Sequence, residues 1–448
     1  MDDDVRTVWH GRAGIWFWLL LALGAALRFY LVVFTAGTKD VEIWEWHARD
    51  VRDYGLIAYY HGNPSANHPP FITEVETLLL RVSDATGIRY GILLRAPFAL
   101  LDLGTTFLLL LLFGGCRWRF VVAAAYWLNP LSIIFSAYHG NTDSAVGFFI
   151  ALCALWLSQN KLLAAAIALG MSLWIKLPVV LAIPAFVFFI PDWRKRFQFL
   201  IIAGVVALAT YIPALIQDPP IIFKNVFGYR AQILHTVAGV PAWGPRVLLF
   251  SIIASPQSWP VAFRAPILFF LENSWLVALA LALLITWLRR YDRSVSGLCA
   301  TIAMIYIIVL ALSDGFSFQY FAWSLPFWFF LPRWLFIPAL ILVSGYIYFL
   351  YAYLCGNPWL FGVWDFNRHP DWPLPIIAIR NLAYLLFCAG AIWFVISSTI
   401  RAFPTRRCSS TCLIARALCL APSRLARRSR PLLPGMRHRS DRQSPDRS

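Results

Sequence analysis

The chain has 448 residues, of which 60% are hydrophobic and only 13% charged, with 21 Trp and 35 Phe. A soluble globular protein carries charge on about a quarter of its residues, so this chain cannot clothe a water-facing surface, which excludes a cytosolic enzyme, a disordered scaffold and an ordinary nucleic-acid-binding domain. The net charge of +16 does not restore the last class, because residues 401–448 hold 12 Arg and two Asp and so account for +10 of it.

A helix needs about 20 apolar residues to cross a bilayer. Twelve apolar runs approach that requirement, near 14–35, 92–113, 120–138, 145–158, 162–175, 177–190, 197–216, 266–288, 296–312, 319–331, 335–354 and 376–399. Residues 1–400 are therefore predicted to form an all-α, polytopic membrane domain with about 12 transmembrane helices. The three runs between 145 and 190 are short, which fits thin or broken helices or a re-entrant pair. Basic residues gather in alternate connections, at Arg6 and Arg12, Arg117 and Arg119, Lys161, Arg194-Lys195-Arg196, Arg289-Arg290 with Arg293, and Arg333. Arg401 falls on the same side. By the positive-inside bias that side is cytoplasmic, so both termini are expected inside. The first run is long and lacks a small-residue cleavage site, unlike a removable signal peptide.

The opposite side then carries the large loops, near 36–91, 217–262 and 355–375, and short turns at 139–144 and 313–318. The first loop opens with a predicted helix over 41–53, in which Trp44, Ala48 and Val51 share a face and Glu45 pairs with Arg49 at i,i+4. Asp40 stands at its start. Two roles suit it, an N-cap for the helix and a general base at the membrane surface, and they are compatible. Asn67-His68-Pro69-Pro70 is a stiff extended segment, a rigid turn in its simplest reading. It leads into an interfacial helix whose apolar face is Phe71, Val75, Leu78 and Val82, with Thr73, Glu74, Glu76, Thr77 and Arg81 on the rest.

Charges within spans are costly and mark sites or pairs. Arg28 in the first span and Asp102 in the second are expected to pair, with Arg95 on the same face as Asp102. Lys176, in WIKLPVVLAIP, lies where two short spans meet and requires a lipid phosphate or a carboxylate as partner. The loop 217–262 sets Lys224, Arg230, His235 and Arg246 against Asp218 alone, which suits an anionic headgroup or simply solvated charge. In the turn Tyr138-His139-Gly140-Asn141-Thr142-Asp143-Ser144, Asp143 can cap the next helix or bind a sugar hydroxyl. Gln319, within DGFSFQYFAW, adds an amide among aromatics suited to stacking on carbohydrate.

The eight Cys show no CxxC spacing and read as buried thiols rather than a zinc site or disulfide framework. Residues 401–448 break from the preceding composition and show no amphipathic period. They read as a basic low-complexity tail, either disordered against anionic lipid or foreign to the fold, as an out-of-frame read of a GC-rich gene would be. The excess of 33 Arg over 5 Lys also suits a GC-rich bacterial genome.

Six elements in order, KDVEIWEWHARDVRDYG, YYHGNPSANHPPF, RAPFALLDLG, NPLSIIFSAYHGNTDS, WIKLPVVLAIP and FQYFAWSLPF, resemble the GT-C superfamily of membrane glycosyltransferases. Within it they are most similar to bacterial proteins related to the mannosyltransferases of glycosylphosphatidylinositol-anchor assembly. The resemblance implies a bacterial inner-membrane enzyme that takes a hexose, mannose favoured, from a polyprenyl-phosphate-linked donor. The sugar would pass with inversion to an extracytoplasmic glycan or lipid acceptor. It implies Asp40 as the general base, with His68 in the segment lining the active site. Glu42, Glu45 and Asp143 compete as a second acid, and His139 and Gln319 stand as further substrate contacts. Lys176, with Arg230 or Arg246, would hold the donor phosphate. Many relatives carry Tyr-Pro-Pro where this chain has His68-Pro69-Pro70, a difference that bears on the sugar or the acceptor. No nucleotide or other cofactor is implied, nor nucleic acid as a partner. No HExxH motif points to a metal, although a divalent ion remains compatible. The rival class is a transporter or flippase of lipid-linked sugars, which would account for the spans and their charges but predicts internal repeats that the two halves do not display.

Overall fold

In the computed structural model the described residues run from 12 to 402, apart from 65, 229–235, 238–239, 250–259, 315–316 and 366–370. The tail beyond Ala402, Arg6 and Arg230 therefore lie outside the described residues. The first half comprises α1 (Arg12–Phe34), α2 (Lys39–Tyr54), α3 (Leu56–Gly62), α4 (Pro70–Thr86), α5 (Tyr90–Leu112), α6 (Arg119–Trp127), α7 (Pro130–Ile133, prolonged by one wide turn to Tyr138), α8 (Asp143–Ser158) and α9 (Leu162–Leu173). After the 3-10 turn Leu177–Ala182 come α10 (Ile183–Phe189), α11 (Trp193–Ala209), α12 (Ile212–Gln217) and α13 (Pro219–Ile222). The chain continues through α14 (Val261–Leu288), α15 (Val295–Leu312), the 3-10 turn Phe318–Trp323, α16 (Leu325–Trp328), α17 (Arg333–Cys355) and α18 (Leu374–Ala402). A two-residue antiparallel ladder pairs Thr236–Val237 with Val240–Pro241 and is the one exception to helix among the described elements.

All twelve apolar runs are helical, but they are not twelve uninterrupted crossings. Among the described residues six helices are long and apolar enough to cross a membrane, namely α1, α5, α14, α15, α17 and α18, and a seventh if α6 and α7 count as one span bent by 48°. Pro130 explains that bend, since its ring removes a donor from the helical ladder, and the Asn129 side chain caps the new start by accepting from Leu131 N–H at 2.8 Å. The runs at 145–158, 162–175 and 177–190 become the shorter apolar helices. The run at 319–331 is a six-residue 3-10 turn and the four-residue α16. At about 1.5 Å per residue neither piece crosses alone, so the single span expected there is a broken, largely buried segment that leads from the end of α15 to the start of α17. The core gathers around α15, whose residues are buried on nearly every side from Gly297 to Ile308.

Two of the charges inside the spans, Arg28 and Asp102, are paired. Arg28 donates from Nε to Asp102 Oδ2 at 3.1 Å and also from Nη2 to that oxygen. The same guanidinium donates to Trp127 O at 2.8 Å and Ser132 Oγ at 3.0 Å, and lies 3.5 Å over the Trp127 ring. Tyr126 and Ser136 donate to Asp102 from the other side. Arg95 does not share this pair. It collects carbonyls at the end of α1, Val32 O at 3.0 Å and Thr35 O at 2.9 Å, with Ala137 O at 3.4 Å. A cation at a helix C-terminus meets the negative end of the helix dipole and its unpaired carbonyls.

The helix after His68-Pro69 departs from the expectation on its polar side, part of which is buried. α4 buries Ile72, Thr73, Glu76, Thr77 and Leu80, and leaves Leu78 and Val82 exposed. In lipid an apolar face need not turn inward, because hydrocarbon surrounds it outside as well.

Candidate functional site

The residues singled out in the first loop and in the 139–144 turn meet because two glycines close on one valine. Gly37 and Gly140 have φ of +85° and +78°, conformations that L side chains rarely adopt. A Cβ on Gly37 would lie 2.8 Å from Val41 Cγ2, and one on Gly140 would lie 2.3 Å from it. Thr38 completes the join, accepting from Asp40 N–H at 3.3 Å as the cap of α2 and donating its hydroxyl to His139 O at 2.6 Å. Asp40 is therefore not the N-cap. Thr38 has that role, which leaves the carboxylate of Asp40 for other partners.

Those partners converge on one oxygen. His139 Nε2 lies 3.0 Å and Asn141 Nδ2 2.9 Å from Asp40 Oδ2. A carboxylate only accepts, so Nε2 carries hydrogen, and Nδ1 on the far side of the ring is hydrogen-bonded with the Tyr351 hydroxyl. Oδ1 accepts no hydrogen bond among the described residues, and a quarter of the Asp40 side chain stays accessible. Burial on its own raises the Asp40 carboxyl. The attraction of His139, hydrogen bonds from His139 and Asn141, and the charge of Lys176 outweigh it, so the group sits below the ordinary aspartate range.

Asn141 links this carboxylate to a second one. Its Oδ1 accepts from Lys176 Nζ at 3.3 Å, and Lys176 Nζ donates to Asp143 Oδ2 at 2.7 Å. Asp143 is buried and also accepts from the indole N–H of Trp323. Asp143 makes no helix-capping bond; its carboxylate is engaged by Lys176, so a sugar hydroxyl would have to compete for it. The partner that Lys176 required is thus a carboxylate.

Lys176 also faces a cavity of about 500 Å³. Its polar end is formed by Lys176, His68 and Asn67, with Tyr320 and Trp323 stacked ring on ring at 4.1 Å. The rest of the lining is apolar apart from Ser313 and includes the exposed Val180, Phe227 and Trp275. Asp40 is not in the lining; it reaches the cavity through Asn141 and Lys176. His68 lies against Trp44, with ring centroids 4.0 Å apart and planes tilted by 35°. Burial, then the charges of Lys176 and His47, push its imidazole well below the usual histidine range, so it is neutral.

The remaining predicted residues separate. Glu42 is exposed, and Glu45 pairs with Arg49 as expected, so neither supplies a second acid beside Asp40. Arg246 donates from Nε to both oxygens of Asp314, at 2.8 and 2.9 Å, and is not an unengaged phosphate ligand. Gln319 is buried, with its Oε1 accepting from Ser317. Among the described residues no group of three or more His, Cys, Asp or Glu is placed to hold a metal ion. Three participants were not assigned from sequence. Asn141 and Trp323 lay within quoted motifs without a role, and Tyr351 lies in an apolar span with no local signal. Glu76, placed on the outer polar side of its helix, is fully buried with both carboxylate oxygens unbonded.

The polar groups share one end of the helices that bear them. α1, α7, α9, α15 and α17 reach the site at their C-terminal ends, and α5 and α8 at their N-terminal ends. The basic connections Arg117–Arg119, Lys161, Arg289–Arg293 and Arg333 adjoin the opposite ends. No protein-family model matches the chain, and no curated protein matches it significantly.

Proposed function

We propose that the chain is a membrane glycosyltransferase that moves a hexose from a polyprenyl-phosphate carrier to an extracytoplasmic glycan or lipid acceptor. The observation that carries this reading is the asymmetry of Asp40, with Oδ2 held by two donors and Oδ1 left open, one hydrogen-bonded residue away from a lysine that lines a largely apolar cavity. An isoprenoid chain suits the exposed apolar walls, and its phosphate suits the cationic end. Stacked Tyr320 and Trp323 offer a flat aromatic surface for a sugar ring. In this reading the helix ends bearing basic residues face the cytoplasm. Reaching about twelve crossings then requires the bent pair and the short helices to act as broken spans.

The chemistry is a single displacement. Asp40 Oδ1 takes the proton of the acceptor hydroxyl as that oxygen attacks the anomeric carbon, and the bond to the carrier phosphate breaks on the opposite face. Negative charge grows on the departing phosphate, and a fixed cation stabilises it better than water because it needs no reorganisation. Both Lys176 and Arg246 already hold a carboxylate, but Lys176 lines the cavity, so Lys176 is that cation. His139 and Tyr351 keep Asp40 oriented. A carboxylate below its ordinary range is a weak base, which suits a reaction in which the acceptor proton leaves late.

The test uses purified protein in proteoliposomes carrying a labelled polyprenyl-phosphate hexose. Release of polyprenyl phosphate with a glycosylated product, abolished by Asp40→Asn, supports the reading. Movement of intact donor across the bilayer without cleavage would favour the transporter instead.

A further inference from the structure

α4 turns toward the protein a face that carries a carboxyl group with nowhere to place a charge. Glu76 has no exposed surface, and neither of its oxygens has a hydrogen-bond partner. Thr73 and Thr77, its neighbours on that face, donate within the helix, to Pro69 O at 3.1 Å and Thr73 O at 3.0 Å. Groups from each packed segment surround it. Tyr59 and Tyr60 of α3 and Tyr90 of α5 lie within reach of its charge. His47 of α2 lies beside Tyr59, with ring centroids 5.3 Å apart. The Tyr90 hydroxyl and His47 Nδ1 are themselves buried without partners.

Among the described residues Lys176 is the cation that acts on Glu76. It is already bonded to Asp143 and Asn141. A carboxylate stripped of water, donors and a dedicated counter-ion takes up a proton rather than remain charged. A divalent cation is a poor alternative occupant, since it requires about six oxygen ligands and Glu76 supplies one carboxylate in the field of an ammonium.

We propose that Glu76 is a buried proton-binding site, holding a neutral carboxyl on the protein-facing side of α4 and giving up its proton only as the pH rises. The inference concerns α4 and stands whether or not the cavity accepts a glycosyl donor.

The direction of the stability effect follows from linkage. Burial raises the Glu76 carboxyl well above the usual glutamate range, with Lys176 opposing. Its contribution to folding is therefore complete below the ordinary glutamate range and is lost as pH rises towards the folded-state value. Glu76→Gln cannot titrate. Full-length wild type and Glu76→Gln, each in detergent micelles, are compared from pH 5 to 10 by infrared difference spectroscopy and by thermal unfolding.

The expected result is a protonated-carboxyl carbonyl band at neutral pH in wild type only, vanishing at alkaline pH. Alongside it, Glu76→Gln gains on wild type by about tenfold in the folding equilibrium constant per pH unit above the ordinary glutamate range. Absence of that band at neutral pH, or a stability difference that does not change with pH, overturns the proposal. If Glu76→Gln fails to fold, carbon-13 glutamate in a Glu272→Gln background reads the same band, because Glu76 is the one buried glutamate of the five and Glu272, exposed on a span, no longer contributes.

Discussion

Replacing Lys176 with methionine separates what this side chain does for the fold from what it does for a ligand. The substitution keeps an unbranched chain one atom shorter and removes the charge. Asp143, 1% exposed, is then left with the Trp323 indole as its remaining donor. Losing one member of a buried pair costs about 3–5 kcal/mol. The orphaned acid can escape by taking a proton, which for an ordinary aspartate at pH 7 costs about 4 kcal/mol, so that sets an upper limit. Lys176 keeps 16% of its side chain accessible and so loses less on removal, which places the expected loss near 3 kcal/mol. Adding Asp143→Asn removes the orphaned charge and retains an acceptor for Trp323, so the double variant should recover all but about 1 kcal/mol. Denaturant titration in micelles measures both values, and quenching of Trp fluorescence by polyprenyl phosphate measures binding. The double variant should fold nearly as well as wild type and bind at least tenfold more weakly. A stable single variant would show that Lys176 and Asp143 are not energetically coupled, and normal binding by the double variant would remove Lys176 from the ligand site.

Asp40→Asn should lower transfer by about 10²- to 10⁴-fold with little loss of stability, because the amide oxygen can still accept from His139 and Asn141; unchanged turnover would eliminate Asp40 as base. His139→Ala removes an attraction that holds Asp40 low, so the acid limb of the transfer profile should move to higher pH. Wild type keeps its ionised Asp40, and the stability it contributes, until pH falls through that lowered value. Asp102→Ala should destabilise by about 3–5 kcal/mol, and Arg28→Met with Asp102→Leu should recover most of it, as denaturant midpoints would show. Gly140→Ala forces a Cβ to within 2.3 Å of Val41 Cγ2 at positive φ. It should impair both stability and transfer, and Val41→Ala should relieve the clash but not the backbone strain of about 1–2 kcal/mol, which a comparison of the two unfolding curves would resolve.

Much of the architecture could be read from one dimension. Each apolar run predicted between 14 and 399 is helical, α2 buries the Trp44, Ala48 and Val51 face assigned to it, and Arg28 does meet Asp102. These succeed because helix periodicity and the cost of unpaired charge in an apolar medium act locally or leave few possible partners. The site was legible only as separate pieces. Asp40, His139, Asp143 and Lys176 were singled out individually, yet nothing in their neighbourhoods indicated that Asn141 would bridge them or that Tyr351 would hold His139 across 212 residues. Glu42 and Glu45 looked as suitable as Asp143 because composition cannot tell which face of α2 is covered. The polar side of α4 was missed for a related reason: an interfacial helix is expected to turn that side to water, whereas packing buries Thr73, Glu76 and Thr77 and leaves the apolar Leu78 outside.

The amino-acid order alone therefore settled the solvent and the class of structure, since a chain so poor in charge has to satisfy its backbone within helices in an apolar medium. Which carboxylate keeps an open oxygen, which lysine faces the cavity and which glutamate is left without a partner were decided only by packing. Those outcomes depend on contacts about a hundred residues apart, such as Asp40 with His139 and Asn141, and no local pattern encodes them.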